Sequence, residues 1–411
     1  MLSPDEAWSV IETQLTALPE ESLARRAAAG RVLARTLPAR VDVPAADVSA
    51  MDGFAVAGDV PAGESRPVAA TLAAGVAPGY RLQPPSVARI MTGAPLPAGA
   101  DRVIPVELAV VSRDATTVIF QESGKAGDHV RRRGEVLRAG DPLLPAGALV
   151  TPGALALFAT HGYAALPVHR APRVAVLATG DEVVPPETEP APGQLRDSHT
   201  DFLLAAGRSL GLAFEPLGIA PDRAAALRPL VERGLGADVL LLCGGVSMGE
   251  FDLVEGVLAD LGCRALFDGV AIQPGKPLVF AVHERRDRDQ RDHPGPGLVF
   301  GLPGNPGSVM VAFWLFVRPA LKRLLGFADG WWRGALPGEL AAALPGAGRR
   351  DRFLAATLEL RAGAPPLVTP HPPKGSHDLA AYAHGAGLVR VRAGSEPRPA
   401  GDSCEYLPLG G

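Results

Sequence analysis

The stretch "ADVLLLCGGVSMGEFD", residues 237–252, decides how the chain is read. An apolar run of strand length ends in two glycines, a serine, a third glycine and two acids. The run reads as a buried strand. In an open parallel sheet, ligands bind beyond the carboxyl ends of the strands. Gly244 and Gly245 let the backbone adopt positive φ and approach a ligand closely. Successive N–H groups there form an anion nest, the start of a following helix adds a favourable dipole, and Ser247 adds a hydroxyl. The stretch can therefore hold a phosphate. Glu250 and Asp252 would repel it directly. Either a divalent cation bridges them to the anion, or Asp252 caps the next helix.

The same rhythm extends on both sides. "RVAVLATG" (173–180) reads as a buried strand into a glycine turn, and "DSHTDFLLAAGRSLG" as a helix ending at Gly211. "AFEPLGI" is a strand. "DRAAALRPLVERG" is a helix capped by Asp222, with Pro229 as a kink point. "DLVEGVLADLG" is a helix, and after two further strands "LVF" leads into "GLPGNPGSVMVAFWLFV". Alternating strand and helix predicts a three-layer α/β domain over 171–325 with a mostly parallel sheet. The polar run "HERRDRDQRDHPGPG" (283–297) reads as a solvated hairpin tip. Three further strand-end turns carry polar groups: "LATGDEVV" with Asp181 and Glu182, "AIQPGKP" with Lys276, and "GLPGNPGS" with Asn305 between two prolines. Singly, each is an ordinary rigid turn. Together they resemble a site for a phosphorylated ligand with a divalent metal.

Outside this domain the pattern changes. "SPDEAWSVIETQL" opens as a helix with Ser3 as N-cap, Pro4 in the first turn and Glu6 completing a capping box. Residues 41–130 are short Val/Ala/Ile runs broken by Gly and Pro, hence β-rich. "TPGALALFATHG" (151–162) is a short helix capped by Thr151. After residue 326, "RFLAATLEL" and "GLVRVRAG" alternate, which predicts a small barrel or sandwich.

Composition narrows the function class. The 411 residues suffice for two to four domains at roughly 100–200 residues each. A net charge of −4 without a dominant basic block argues against nucleic acid or an acidic membrane as partner. The three cysteines, Cys243, Cys263 and Cys404, form no metal-type pair and read as reduced thiols in a cytoplasmic protein. The longest apolar run, 309–317, is too short to span a bilayer.

Taken in order, "SAMDGFAV", "RIMTGAPLPAGAD", "HVRRRGE", "ATGDE", "GGVSMGEFD", "PGKP", "GLPGNPGS" and "GSHDLAAYAHGAGL" resemble the MoeA-type molybdopterin molybdenumtransferase family, to which the gephyrin E domain is related. The resemblance covers nearly the whole chain. It implies a linking domain built from 1–40 and 136–170, an inserted β-rich domain at 41–135, the α/β molybdopterin-binding domain at 171–325 and a C-terminal β-barrel at 326–411. It further implies an elongated homodimer, whose site lies where the α/β domain of one subunit faces the inserted domain of the other. The implied reaction is Mg²⁺-dependent insertion of molybdenum, from molybdate, into adenylylated molybdopterin with release of AMP. A molybdopterin adenylyltransferase is an implied partner.

Carried over by motif, the catalytic set is Asp52, Thr92, Glu182, Asp222, Asp252 and Lys276, with Asp222 and Asp252 assigned to the metal. The ligand-binding set is Thr179, Gly180, Asp181, Gly244, Gly245, Ser247, Pro303, Asn305, Pro306, Arg131, Ser376 and an arginine of "GRRDR" (348–352), with Arg350 chosen. The chain departs from the family pattern at Val136 (an acid in many relatives), at Gly269 and Gln273 (often basic) and at His199 (usually Asn). Loss of two positive charges weakens capture of a dianion unless nearby arginines compensate. The alternatives on the same fold are a molybdopterin-binding or scaffold protein with weak catalysis, and a related enzyme such as a tungstate-preferring inserter or a nucleotide-pterin hydrolase.

Overall fold

A computed structural model describes residues 1–75, 79, 81–245, 253–284 and 295–409. The chain divides into two compact units. One comprises Met1–Ala34, Gly147–Val150 and Ala165–Gly411; the other comprises Arg35–Ala146 and Thr151–Ala164.

The first unit opens with helix α1 (Pro4–Glu12). Its expected capping box is present: the Ser3 hydroxyl accepts from the Glu6 N–H, and the Glu6 carboxylate accepts from the Ser3 N–H. Ala7, Trp8 and Ile11 bury one face.

The second unit is β-rich. Its six-stranded sheet comprises β1 (Gly53–Val56), β2 (Ser65–Leu72), β3 (Val87–Ile90), β4 (Arg102–Pro105), β5 (Ala109–Val111) and β6 (Thr117–Phe120), in spatial order β4-β1-β3-β2-β6-β5. Phe54, Val87, Ile104 and Phe120 fill one core, while Ala55, Leu82, Ile90 and Val103 fill another. Helix α2 (Pro152–Thr160) is capped by the Thr151 hydroxyl, as expected.

The α/β domain of the first unit contains β7 (Val174–Thr179), β8 (Phe214–Ala220), β9 (Val239–Cys243), β10 (Cys263–Phe267), β11 (Val279–His283) and β12 (Gly297–Leu302), in spatial order β8-β7-β9-β12-β11-β10. Every residue of β7, β9 and β12 is buried, which explains their unbroken apolar sequences: both faces of the sheet are covered. Val176, Leu241, Phe280 and Phe300 point to one core, and Leu177, Leu242, Val279 and Val299 to the other. The sheet is mixed. Strand β11 runs antiparallel to β12 and β10, with His283 opposite Gly297. Residues 285–294 of the polar run read as a hairpin tip lie outside the described residues.

Three helices start as the strand–helix rhythm requires: α3 (His199–Ser209), α4 (Ala224–Leu235) and α5 (Leu253–Asp260). One expectation is corrected. Asp222 does not cap α4: Arg223 occupies the N-cap position without a side-chain cap bond, and Asp222 donates its N–H to Asp181 at 3.1 Å. The loop after β8 is committed to the neighbouring strand end instead of to the helix. Helix α4 continues through Pro229. The run at 309–317 is buried helix as expected, but Phe313–Val317 is a π-helical turn between α6 (Pro306–Ala312) and α7 (Arg318–Leu324).

The C-terminal region is a closed barrel. Strands β13 (Leu336–Leu340), β14 (Asp351–Glu359), β15 (Leu367–His371), β16 (Gly387–Val391) and β17 (Ser403–Pro408) follow the order β14-β15-β13-β17-β16, and β16 pairs back onto β14. Leu354, Val368, Val389 and Tyr406 fill it. Ile272–Gln273 of the α/β domain adds in parallel to the start of β14, so this pairing fixes the barrel edge against the Lys276 turn.

Candidate active site

The carboxyl ends of β7, β9 and β12 and the near edge of the barrel enclose a cleft of about 720 Å³. The strand ends build its floor. Gly244 and Gly245 follow β9 with φ of +93° and +64°. A Cβ on Gly244 would lie 2.6 Å from the Thr179 carbonyl oxygen, and one on Gly245 would lie 2.8 Å from the Thr179 hydroxyl. Glycine is therefore needed twice over, for backbone conformation and for close approach. Thr179 itself is buried behind them, its hydroxyl 3.5 Å from the Cys243 carbonyl. The Gly244 N–H donates to the Leu302 carbonyl, tying the β9 loop to the end of β12.

The loop after β12 supplies the next wall. Pro303 is buried, Asn305 is exposed at the N-cap position of α6 without capping it, and Pro306 begins the helix. The Asn305 amide is thus not spent on its own helix. Gly307 has no room for a side chain: a Cβ would meet the Tyr382 ring at 2.7 Å and the Ser376 carbonyl at 2.9 Å. Its N–H donates to that carbonyl at 3.0 Å. This contact brings the barrel's Ser376 turn to the strand-end loops.

Eight expected residues line this cleft: Glu182, Gly244, Gly245, Lys276, Pro303, Asn305, Arg350 and Ser376. Arg352, the other arginine of "GRRDR" at this cleft, lines it too, as do Lys374, which sequence reading missed, and the departure position Gln273. Arg350, Arg352 and Leu354 alternate along the chain at the start of β14, which brings both arginines to the cleft. Four cations against one acid among the described lining residues make the cleft an anion receptor.

Gly180 and Asp181 line a neighbouring cavity of about 570 Å³ with Asp197 and Thr200. Asp181 and Asp222 are joined there by the Asp222 N–H bond and are both exposed. Buried Asp197 accepts from the His199 N–H, the Thr200 N–H and the Thr200 hydroxyl, and so starts α3. Burial holds the His199 imidazole below its ordinary pKa, while nearby Asp197 opposes that shift. Burial also pushes the Cys243 thiol far up, so it is inert.

The second unit carries Asp52, Thr92 and Arg131. Asp52 accepts from both the N–H and the hydroxyl of Thr92, which hold its carboxyl below the usual range. In "RRR", Arg132 pairs with Asp47 and Arg133 with Asp42. Among the described residues, Arg131 has no such pairing. Ser247 and Asp252 lie outside the described residues.

Mg²⁺ takes hard oxygen donors and is usually held by one or two carboxylates plus substrate phosphates. The exposed Asp181–Asp222 pair fits that donor chemistry. Among the described residues, no cluster of three or more His, Cys, Asp or Glu side chains makes a protein-only metal cage. No helix among them is long and apolar enough to cross a membrane.

Comparison with known proteins agrees along the chain. Residues 2–162 match the MoeA N-terminal region (domain I and II), 175–323 the probable molybdopterin binding domain and 337–409 the MoeA C-terminal region (domain IV). A molybdopterin molybdenumtransferase 2 of Mycobacterium tuberculosis is 34% identical over 95% of both chains. A molybdopterin molybdenumtransferase of Nostoc sp. is 34% identical over 85% of this chain and 79% of its own. A molybdopterin biosynthesis MoeA protein from Pyrococcus horikosii superposes with a TM-score of 0.82 at 29% identity, covering 100% of both chains.

Proposed function

The chain belongs to the molybdopterin molybdenumtransferase family, and from that premise we propose that it inserts molybdenum from molybdate into adenylylated molybdopterin and releases AMP in a Mg²⁺-dependent reaction. It is a transferase of molybdenum cofactor biosynthesis. The observation that carries the finer reading is the cleft in which Lys276, Arg350, Arg352 and Lys374 converge on the Gly244–Gly245 loop. A tetrahedral dianion and a pyrophosphate both need such cations and backbone N–H groups.

In this reading Gly244, Gly245 and the segment carrying Ser247 cradle the phosphates, and Thr179 fixes the floor beneath them. Asn305, with Pro303 and Pro306 holding its loop, presents an amide to the ligand. Glu182 accepts donors of the pterin nucleotide. Lys276, Arg350 and Ser376 gather the oxyanion. Asp222, with Asp181 beside it, and Asp252 would hold Mg²⁺, which supplies charge neutralisation to the pyrophosphate when bound. Cleavage of a phosphoanhydride depends on placement and charge neutralisation more than on a covalent nucleophile. Asp52, Thr92 and Arg131 act from a second copy of the chain in a homodimer. The division into 1–40, 41–135, 136–170, 171–325 and 326–411 belongs to the same proposal.

The test is AMP release from adenylylated molybdopterin by the purified protein with Mg²⁺, with and without molybdate. Molybdate-stimulated release with matching cofactor formation supports the reading. Tight pterin-nucleotide binding without release makes the protein a carrier, and preferential stimulation by tungstate makes it a tungstate inserter.

A further inference from the structure

The four cations of the main cleft come from two sources. Lys276 sits on the Pro/Gly turn of the α/β domain, whereas Arg350, Arg352 and Lys374 all belong to the barrel region. Gln273, on the same turn as Lys276, is neutral. Glu182, the single acid among the described lining residues, comes from the strand-end side. The cleft is therefore polarised, with most of its positive charge on the barrel wall.

That wall is held in place. Asp351, between the two arginines, is buried and paired with Arg390 at 2.6 Å, and it accepts the Ala393 N–H at 2.8 Å. Arg352 donates to the Gly346 carbonyl at 3.0 Å, yet its Nε–H is buried with no acceptor among the described residues. Its guanidinium lines the cleft with donor capacity unspent. Lys374 sits on a turn pinned at both ends: its N–H donates to Asp378 at 2.9 Å, and Ser376 accepts from Gly307. The Lys374 side chain is exposed at the cleft, and no ion pair engages it among the described residues.

We propose that Arg352 and Lys374 are specificity-determining residues for the oxyanion: with Arg350 they make the barrel wall a dianion subsite that selects by charge. The inference rests on the molybdenum-inserting reading, which supplies the oxyanion as substrate class. Coulomb energy scales with the product of the charges. Removing one wall cation should therefore cost a divalent tetrahedral oxyanion the square of the factor it costs a monovalent one of similar shape.

The experiment is equilibrium titration of the full-length protein with molybdate and, separately, with monovalent perrhenate, at low and high salt. The proteins are wild type, Lys374→Ala, Lys374→Arg, Arg352→Lys and Lys276→Ala. Within the range of exposed ion pairs, Lys374→Ala weakens perrhenate about 3-fold and molybdate about 10-fold. Lys374→Arg and Arg352→Lys restore most of the preference, and added salt shrinks it. Equal losses for both anions, or none, in Lys374→Ala overturn the charge-selecting role. If Lys276→Ala still weakens molybdate in that case, the cleft remains the oxyanion site and only the barrel-wall inference fails. If wild type binds neither anion, both readings fall.

Discussion

Asp52 and Thr92 are joined twice: one carboxylate oxygen accepts the Thr92 N–H at 2.6 Å and the Thr92 hydroxyl at 2.7 Å. The pair links the turn before β1 to the turn after β3 across 40 residues of sequence. It fixes a charged carboxylate on an exposed turn, where packing could not have fixed it.

The first prediction follows from that pair. Both Thr92 bonds favour the ionised form, the backbone N–H more than the hydroxyl, so the Asp52 carboxyl titrates below its ordinary value of 3.8. A depressed carboxylate adds stability above its unfolded pKa and loses it as pH falls through the folded one. Carboxyl-carbon NMR should place the Asp52 midpoint below 3.8. Thr92→Val should raise it part of the way, because the N–H remains. Asp52→Ala should abolish insertion without unfolding the protein, at the cost of the small stabilisation its Thr92 bonds supply; a normal insertion rate would remove Asp52 from the proposed cross-subunit site.

Gly244→Ala meets two obstacles, a φ of +93° and a carbonyl oxygen 2.6 Å from the new Cβ. Strain of this kind costs about 1–3 kcal/mol. A urea titration should show the lower midpoint, and pterin-nucleotide binding should fall with it. An unchanged midpoint and affinity would show that the loop accepts a side chain.

Buried Asp351 holds partly buried Arg390, whose guanidinium also lies 4.6 Å from the Trp331 ring centroid. Asp351→Ala leaves that charge unpaired, and breaking a buried pair costs about 3–5 kcal/mol. Denaturant unfolding measures the loss. Oxyanion affinity should fall as well, because Asp351 separates Arg350 from Arg352 and sets their positions.

His199 gives a pH signature of opposite origin to Asp52. Burial favours its neutral form, so its folded pKa lies below the ordinary 6.5. Between the folded and unfolded values the unfolded chain binds more protons, so stability rises with pH there and is fully present above the unfolded value. As pH falls through the folded pKa, that contribution is lost. The difference in unfolding free energy between wild type and His199→Gln should follow this course. A pH-independent difference would show that the imidazole is not titrating in this window.

Much of the fold follows from local pattern. The unbroken apolar runs of β7, β9 and β12 require a sheet covered on both faces, and the capping box at Ser3–Glu6 starts α1 where its residues say. The Gly244–Gly245 turn is legible because positive φ restricts residue type at the position itself. These signals act over a few residues, so a one-dimensional reading contains them.

The tertiary structure decided which distant groups meet. It turned Asp222 toward Asp181 instead of toward its own helix. It set β11 antiparallel to both of its neighbours in an otherwise parallel sheet. It also brought Arg352 and Lys374 to a cleft floored by residues more than 100 positions earlier. Side-chain type and spacing specify an isolated strand or turn. The charge balance of a cleft depends on how the α/β domain packs on the barrel, and here Gly307, with no room for a Cβ between Tyr382 and Ser376, sets that approach.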